Sequence, residues 1–109
     1  MNGDKAAKDA ILRIAENVAS ECRPNKIILF GSYARGMPAE DSDVDLLNIK
    51  NADERPLERW CDVKRLLRGT APFLPVAPLV YTEREIQDRL AIRGFFIEKI
   101  LAEGEVLYG

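Results

Sequence analysis

Apolar positions along the chain change their spacing several times, and each change marks an element. From Lys5 to Glu21, the residues Ala7, Ala10, Ile11, Ile14, Ala15 and Val18 recur at helical intervals behind Asp4 as N-cap. Pro24 closes this helix, and Lys8, Asp9, Arg13 and Glu16 form its solvated side. Ile27 to Phe30 is a short, branched apolar run stopped by Gly31, the pattern of a buried strand entering a tight turn. After the polar connection 37–42, Asp43-Val44-Asp45-Leu46-Leu47 resumes a strand pattern. Asp53 and Pro56 then open a second helix, whose apolar arc of Leu57, Trp60, Cys61, Val63 and Leu67 ends at Gly69. Trp60 belongs to that arc and reads as core, and Lys64, Arg65 and Arg68 suit the negative end of the helix dipole.

The second half is punctuated by proline and glycine. Phe73 to Tyr81 is the third strand, but Pro75 and Pro78 have no N–H to give a ladder, which places it at an edge or interrupts it. Thr82-x-x-Glu85 is a capping box opening a helix with Ile86 and Leu90 on one side, and Gly94 breaks it. Phe95 to Glu103 forms a last helix. Its i, i+4 pairs, Phe96 with Ile100 and Ile97 with Leu101, are expected in the core, with some apolar surface left for a partner. Glu105 to Tyr108 is a short terminal strand or an ordered tail. The alternation of elements predicts one α/β domain over residues 1–109: a small mixed, twisted sheet with helices packed mainly on one face.

Composition narrows the chemistry. With 109 residues, 47% of them hydrophobic, the chain can bury one modest core. Sixteen basic and 18 acidic residues give a net charge of -2, which does not describe a strong nucleic-acid binder. No apolar run is long enough for a bilayer, and Cys22 and Cys61 lack metal or redox spacing, so a cytoplasmic protein is expected. There is no histidine, which removes Ser-His-Asp and Cys-His nucleophilic schemes and H-E-x-x-H zinc sites. Carboxylates and a hard metal remain.

The stretch Lys26 to Asn48 combines these. Gly31 and Ser32 turn out of the strand, and Ser32-Tyr33-Ala34-Arg35 can begin a helix whose N–H groups favour a phosphate; Gly36 ends it. Arg35 either meets phosphate oxygens as a forked donor or pairs with Glu40 or Asp41. Strand alternation puts Asp43 and Asp45 on one side and Val44 on the other, with backbones roughly 6 to 7 Å apart. Two such carboxylates suit Mg²⁺, which takes one or two acids together with substrate phosphates and water. Each piece alone is an ordinary turn or strand edge; their sequence in one stretch is the signal.

G-S-Y-A-R-G followed by S-D-V-D-L-L resembles the signature of the polymerase-β-like nucleotidyltransferase superfamily, and the short chain is similar to its minimal nucleotidyltransferases, commonly antitoxins of helical HEPN proteins. The resemblance implies that Gly31 and Ser32 hold nucleotide phosphates, that Asp43 and Asp45 are the catalytic metal ligands, and that AMP passes from ATP to a HEPN toxin in a hetero-oligomer. Relatives usually carry a third carboxylate shortly before a V-Y-T ending; here that position is Ala77. Glu83, Glu85 and Asp62 are the possible replacements. If none replaces it, the chain is instead a binding module that keeps nucleotide or toxin contact without transfer. Modification of small molecules and D-x-D glycosyl transfer both call for longer chains, and a Ca²⁺ loop for more oxygen ligands.

Overall fold

The computed structural model describes residues 2–36, 43–50, 76–92 and 94–109. The connection 37–42 with Glu40 and Asp41, the helix expected from Asp53 to Gly69 with Trp60, Cys61 and Asp62, and Pro75 lie outside these residues. The described chain runs α1 (Asn2–Cys22), β1 (Lys26–Phe30), β2 (Val44–Ile49), β3 (Val76–Tyr81), α2 (Glu83–Ala91), α3 (Phe95–Glu103) and β4 (Glu105–Tyr108).

The strands form one mixed sheet in the order β3-β2-β1-β4, with β1 antiparallel to both β2 and β4, and β2 parallel to β3. Strand alternation divides its side chains between two cores. Ile27, Leu29, Val44, Leu46 and Val80 pack against Ala10, Ile11, Ile14, Ala15 and Val18 of α1, the helical stripe expected from the sequence. Ile28, Leu47 and Ile49 face the other way, against Ile86 of α2 and Ile97 and Ile100 of α3. Two of the three described helices thus share a face, but the opposite face is covered as well. Branched residues on both sides of β1 and β2 need two apolar partners, and a sheet bare on one side would leave half of them in water.

Local details follow the residue chemistry. Asp4, expected as the N-cap, lies inside α1, which begins at Asn2. Pro78 is accommodated because β3 is an edge of the sheet, hydrogen-bonded on one side to β2. The capping box is formed in full: the Thr82 N–H donates to Glu85 Oε1 at 2.8 Å, and the Glu85 N–H donates to Thr82 Oγ1 at 3.1 Å. The last helix corrects the expected pairing. Ile97 and Ile100, one turn apart, are its buried residues, whereas Phe96 is 59% and Leu101 41% exposed. An i, i+3 pair centres the stripe between Ile97 and Ile100, turning Phe96 and Leu101 to its margins. Among the described residues no helix is long and apolar enough to cross a membrane.

Candidate active site

The site grows from the meeting of two chain ends. β1 finishes at Phe30, whose partner across the antiparallel ladder is Asp45, so the turn leaving β1 is delivered to the start of β2. In that turn the Arg35 N–H donates to the Gly31 carbonyl at 3.2 Å and the Gly36 N–H to the Tyr33 carbonyl at 3.2 Å. These bonds make a hydrogen-bonded turn where the sequence suggests the start of a helix, and Gly36, with φ +70, ends it. Gly31 has two reasons to be glycine. Its φ is +78, and a Cβ there would run into the Asp45 carboxylate. The backbone after β1 and the acid on β2 therefore approach as closely as any side chain would permit.

Asp45 lies on the α2/α3 side of the sheet, while Val44 is buried against α1, the alternation expected from the sequence. Asp43 is exposed and just precedes β2. Burial raises the Asp45 carboxyl above its ordinary value, and the Asp43 charge raises it further. A cation between them would reverse both costs. Asp45 has Ala77 as its partner on β3 in the parallel register. The position identified in sequence as the missing carboxylate is therefore the sheet neighbour of Asp45, and it carries only a methyl group. Glu85 is engaged in the capping box and Glu83 opens the same helix; among the described residues no group of three or more His, Cys, Asp and Glu could hold a metal ion. Two carboxylates nevertheless fit Mg²⁺ that completes its shell with phosphate oxygens and water.

A cleft of about 340 Å³ opens beside Asp45, lined by Phe30, Gly31, Ala34, Arg35 and Asp45 on one side and by Phe96, Lys99, Ile100 and Glu103 of α3 on the other. Three of the five residues singled out in sequence, Gly31, Arg35 and Asp45, line it. Ser32 is half-exposed in the turn and Asp43 is exposed at the β2 start; neither belongs to the lining. The α3 wall was not anticipated. Phe96, Lys99 and Glu103 follow one another at three- and four-residue steps, a pattern present in sequence, but the sequence reading places Phe96 in the core and assigns the two charges no role.

Comparisons with known proteins bear on the family and the fold. The family model described as "Nucleotidyltransferase domain" matches residues 11–103. A protein of Methanocaldococcus jannaschii named "Putative protein adenylyltransferase MJ0604" is 33% identical over 108 residues, covering 99% of this chain and 100% of that protein. A second protein of the same organism, "Putative protein adenylyltransferase MJ1305", is 65% identical over 34 residues, 30% of this chain and 23% of that one. A crystal structure described as a putative nucleotidyltransferase from Sulfolobus solfataricus superposes with a TM-score of 0.61 at 28% identity, over 81% of this chain and 77% of that chain. With a glycine turn packed on Asp45 where the two central strands of a mixed sheet meet, and a family match spanning most of its length, the chain belongs to the nucleotidyltransferase domain family.

Proposed function

We propose that this chain transfers AMP from ATP, in a Mg²⁺-dependent reaction in the cytoplasm, to a hydroxyl of a HEPN-type toxin and thereby acts as its antitoxin. The observation that carries the reading is the close approach of Gly31 to Asp45, which brings the turn after β1 against a carboxylate, an arrangement that suits a metal-bound phosphate. The names of the two M. jannaschii relatives support protein as the acceptor and adenylyl as the group. The toxin partner rests on the resemblance of G-S-Y-A-R-G and S-D-V-D-L-L to minimal nucleotidyltransferases.

In this reading Asp43 and Asp45 would hold the ion, which would supply positive charge to offset that of the phosphates. The turn N–H groups and the Ser32 hydroxyl bind phosphate oxygens, and Arg35 adds a charged donor from the cleft wall. The acceptor oxygen bonds to the α-phosphorus, the bond to the bridging oxygen of the β-phosphate breaks, and pyrophosphate leaves. Among the described residues Ala77 offers no base beside Asp45, and the acceptor's proton passes to solvent.

The test is incubation of the chain and its HEPN-type partner with Mg²⁺ and ATP labelled at the α- or the γ-phosphate. Label on the partner from the α position only, lost in Asp43→Asn and Asp45→Asn, is expected. Transfer untouched by both substitutions would remove the assignment of the acids. Ala77 also favours a second reading, in which the chain neutralises the toxin by contact; neutralisation that survives Asp43→Ala with Asp45→Ala would select it.

A further inference from the structure

The two walls of the cleft differ in how they are held. Gly31 to Arg35 is a turn, whereas the other wall is a helix anchored in the core through Ile97 and Ile100. Phe96, Lys99, Ile100 and Glu103 are spaced i, i+3, i+4 and i+7, so they form one stripe along α3, and all four line the cleft. A helix fixed by two buried isoleucines presents that stripe at set positions.

Phe96 is the unusual member. It is 59% exposed, and its ring contacts Phe30 at 5.8 Å between centroids with the planes at 89°. An edge-to-face contact covers at most one face of the Phe96 ring and leaves the other for a planar group. Phe30 is itself the ladder partner of Asp45, so the aromatic pair stands directly beside the acid. Lys99, one turn further along, is exposed and faces the same cleft as Arg35. A polyphosphate entering beside Asp45 and Glu103 meets two negative groups, and Arg35 and Lys99 are the two cations in the lining that offset them. The volume, about 340 Å³, lies near the lower end of the range for small-molecule sites, roughly 300 to 1,000 Å³.

We infer that α3 is the nucleoside-reading wall of this cleft: Phe96 stacks the base and Lys99 meets the phosphate chain, so the ligand is a nucleoside polyphosphate held at both ends. This rests on the nucleotide-transfer reading above and assigns residues that the sequence motif does not contain. A ring stacked on one free face discriminates weakly among bases, because every base has a π-face. It separates nucleotides from inorganic polyphosphate, and the lysine does not.

The difference gives the test. Calorimetric titration of the full chain with ATP and with inorganic tripolyphosphate, both with Mg²⁺, is repeated for Phe96→Leu, Lys99→Ala, Lys99→Arg and the control Leu101→Ala, which is exposed on α3 but outside the lining. Phe96→Leu keeps an apolar side chain at an exposed position, and unchanged thermal unfolding confirms that it folds. Its affinity for ATP is expected to fall about five- to hundred-fold, with tripolyphosphate unaffected. Lys99→Ala is expected to weaken both ligands, Lys99→Arg to restore part of the loss, and Leu101→Ala to change neither. If the native chain binds ATP, loses it in Gly31→Val, and is indifferent to Phe96→Leu and Lys99→Ala, the α3 assignment is overturned while the transfer reading stands. A native chain that binds no ATP overturns both, and a loss in only one of the two α3 variants overturns the role given to the other.

Discussion

Asp45 has a neighbour on each side across the sheet, and the two flanks are built differently. Toward β1 stand Phe30, the Gly31 turn and, across the cleft, the α3 stripe; toward β3 stands Ala77, a methyl group. Group transfer makes two demands, holding the donor nucleotide and activating the acceptor oxygen, and chemistry-bearing side chains of the described chain gather on one flank. In the proposed reaction the β1 flank serves the donor. On the β3 flank the described residues set only the Ala77 methyl group beside Asp45 and no base.

The sharpest way to break this contrast is at Gly31. Gly31→Val puts a branched side chain at φ +78 and into the Asp45 carboxylate, so something must move. The backbone conformation alone costs about 1 to 3 kcal/mol. Nucleotide affinity and AMP transfer are expected to fall about 100-fold or more, given what a 1 Å misplacement costs a reacting pair. Titration with ATP and Mg²⁺ checks this, and retained native affinity would show that the close approach of turn and acid is irrelevant to the ligand.

Next in size is the opposite flank. Ala77→Asp restores the acid beside Asp45 and is expected to raise transfer about tenfold or more, the lower part of what a positioned base contributes, with ATP affinity changed far less. Initial rates of α-phosphate label appearing on the acceptor measure it. A rate identical to that of the native chain would mean that Ala77 does not occupy the acceptor-activating position, and the contrast between flanks would lose its mechanistic content.

A smaller effect separates the flanks by stability. α2 packs Ile86 and Leu90 with Leu79 and Tyr81 of β3, and its start is fixed by the Thr82–Glu85 box. Thr82→Ala leaves the Glu85 N–H without its acceptor and is expected to cost about 1 kcal/mol in denaturant unfolding. ATP affinity is expected to stay native, because neither Thr82 nor Glu85 lines the cleft. A parallel loss of affinity would show that the two flanks are one cooperative unit.

How much of this was legible in sequence depends on the range of the interaction. Gly31, the capping box and the alternation of Val44 and Asp45 are local, and residue identity alone placed them. Ala77 is matched to the third acid of relatives through the family resemblance and the V-Y-T ending, and the parallel register sets it beside Asp45. The α3 wall was not legible. Its spacing fits a core stripe through either Phe96 and Ile100 or Ile97 and Ile100, and the choice is made by how the helix settles on Ile28 and Leu47, contacts between residues far apart in the chain. The same limit applies to the second covered face. Alternation places residues on opposite sides of a sheet, but which helix covers each side is a matter of tertiary packing.

The smallest effect is electrostatic and concerns Asp45 itself. Its carboxyl is raised by burial first and by Asp43 second, so the folded chain binds that proton more tightly than the unfolded chain. Ionisation therefore costs stability. The penalty is absent at acid pH, develops as pH rises from the ordinary carboxylate value through the raised one, and is then constant. Asp45→Asn carries no such proton. In EDTA the variant is expected to gain stability relative to the native chain as pH rises from about 4 to 7, the gain being modest because the group is partly solvated. Excess Mg²⁺ is expected to erase it by stabilising the native chain alone. Thermal unfolding across that pH range decides the matter. An Asn variant that loses ground as pH rises in EDTA would mean that the carboxylate is held by a favourable contact in the folded chain, and that the β1 flank is preorganised around the anion without a cation.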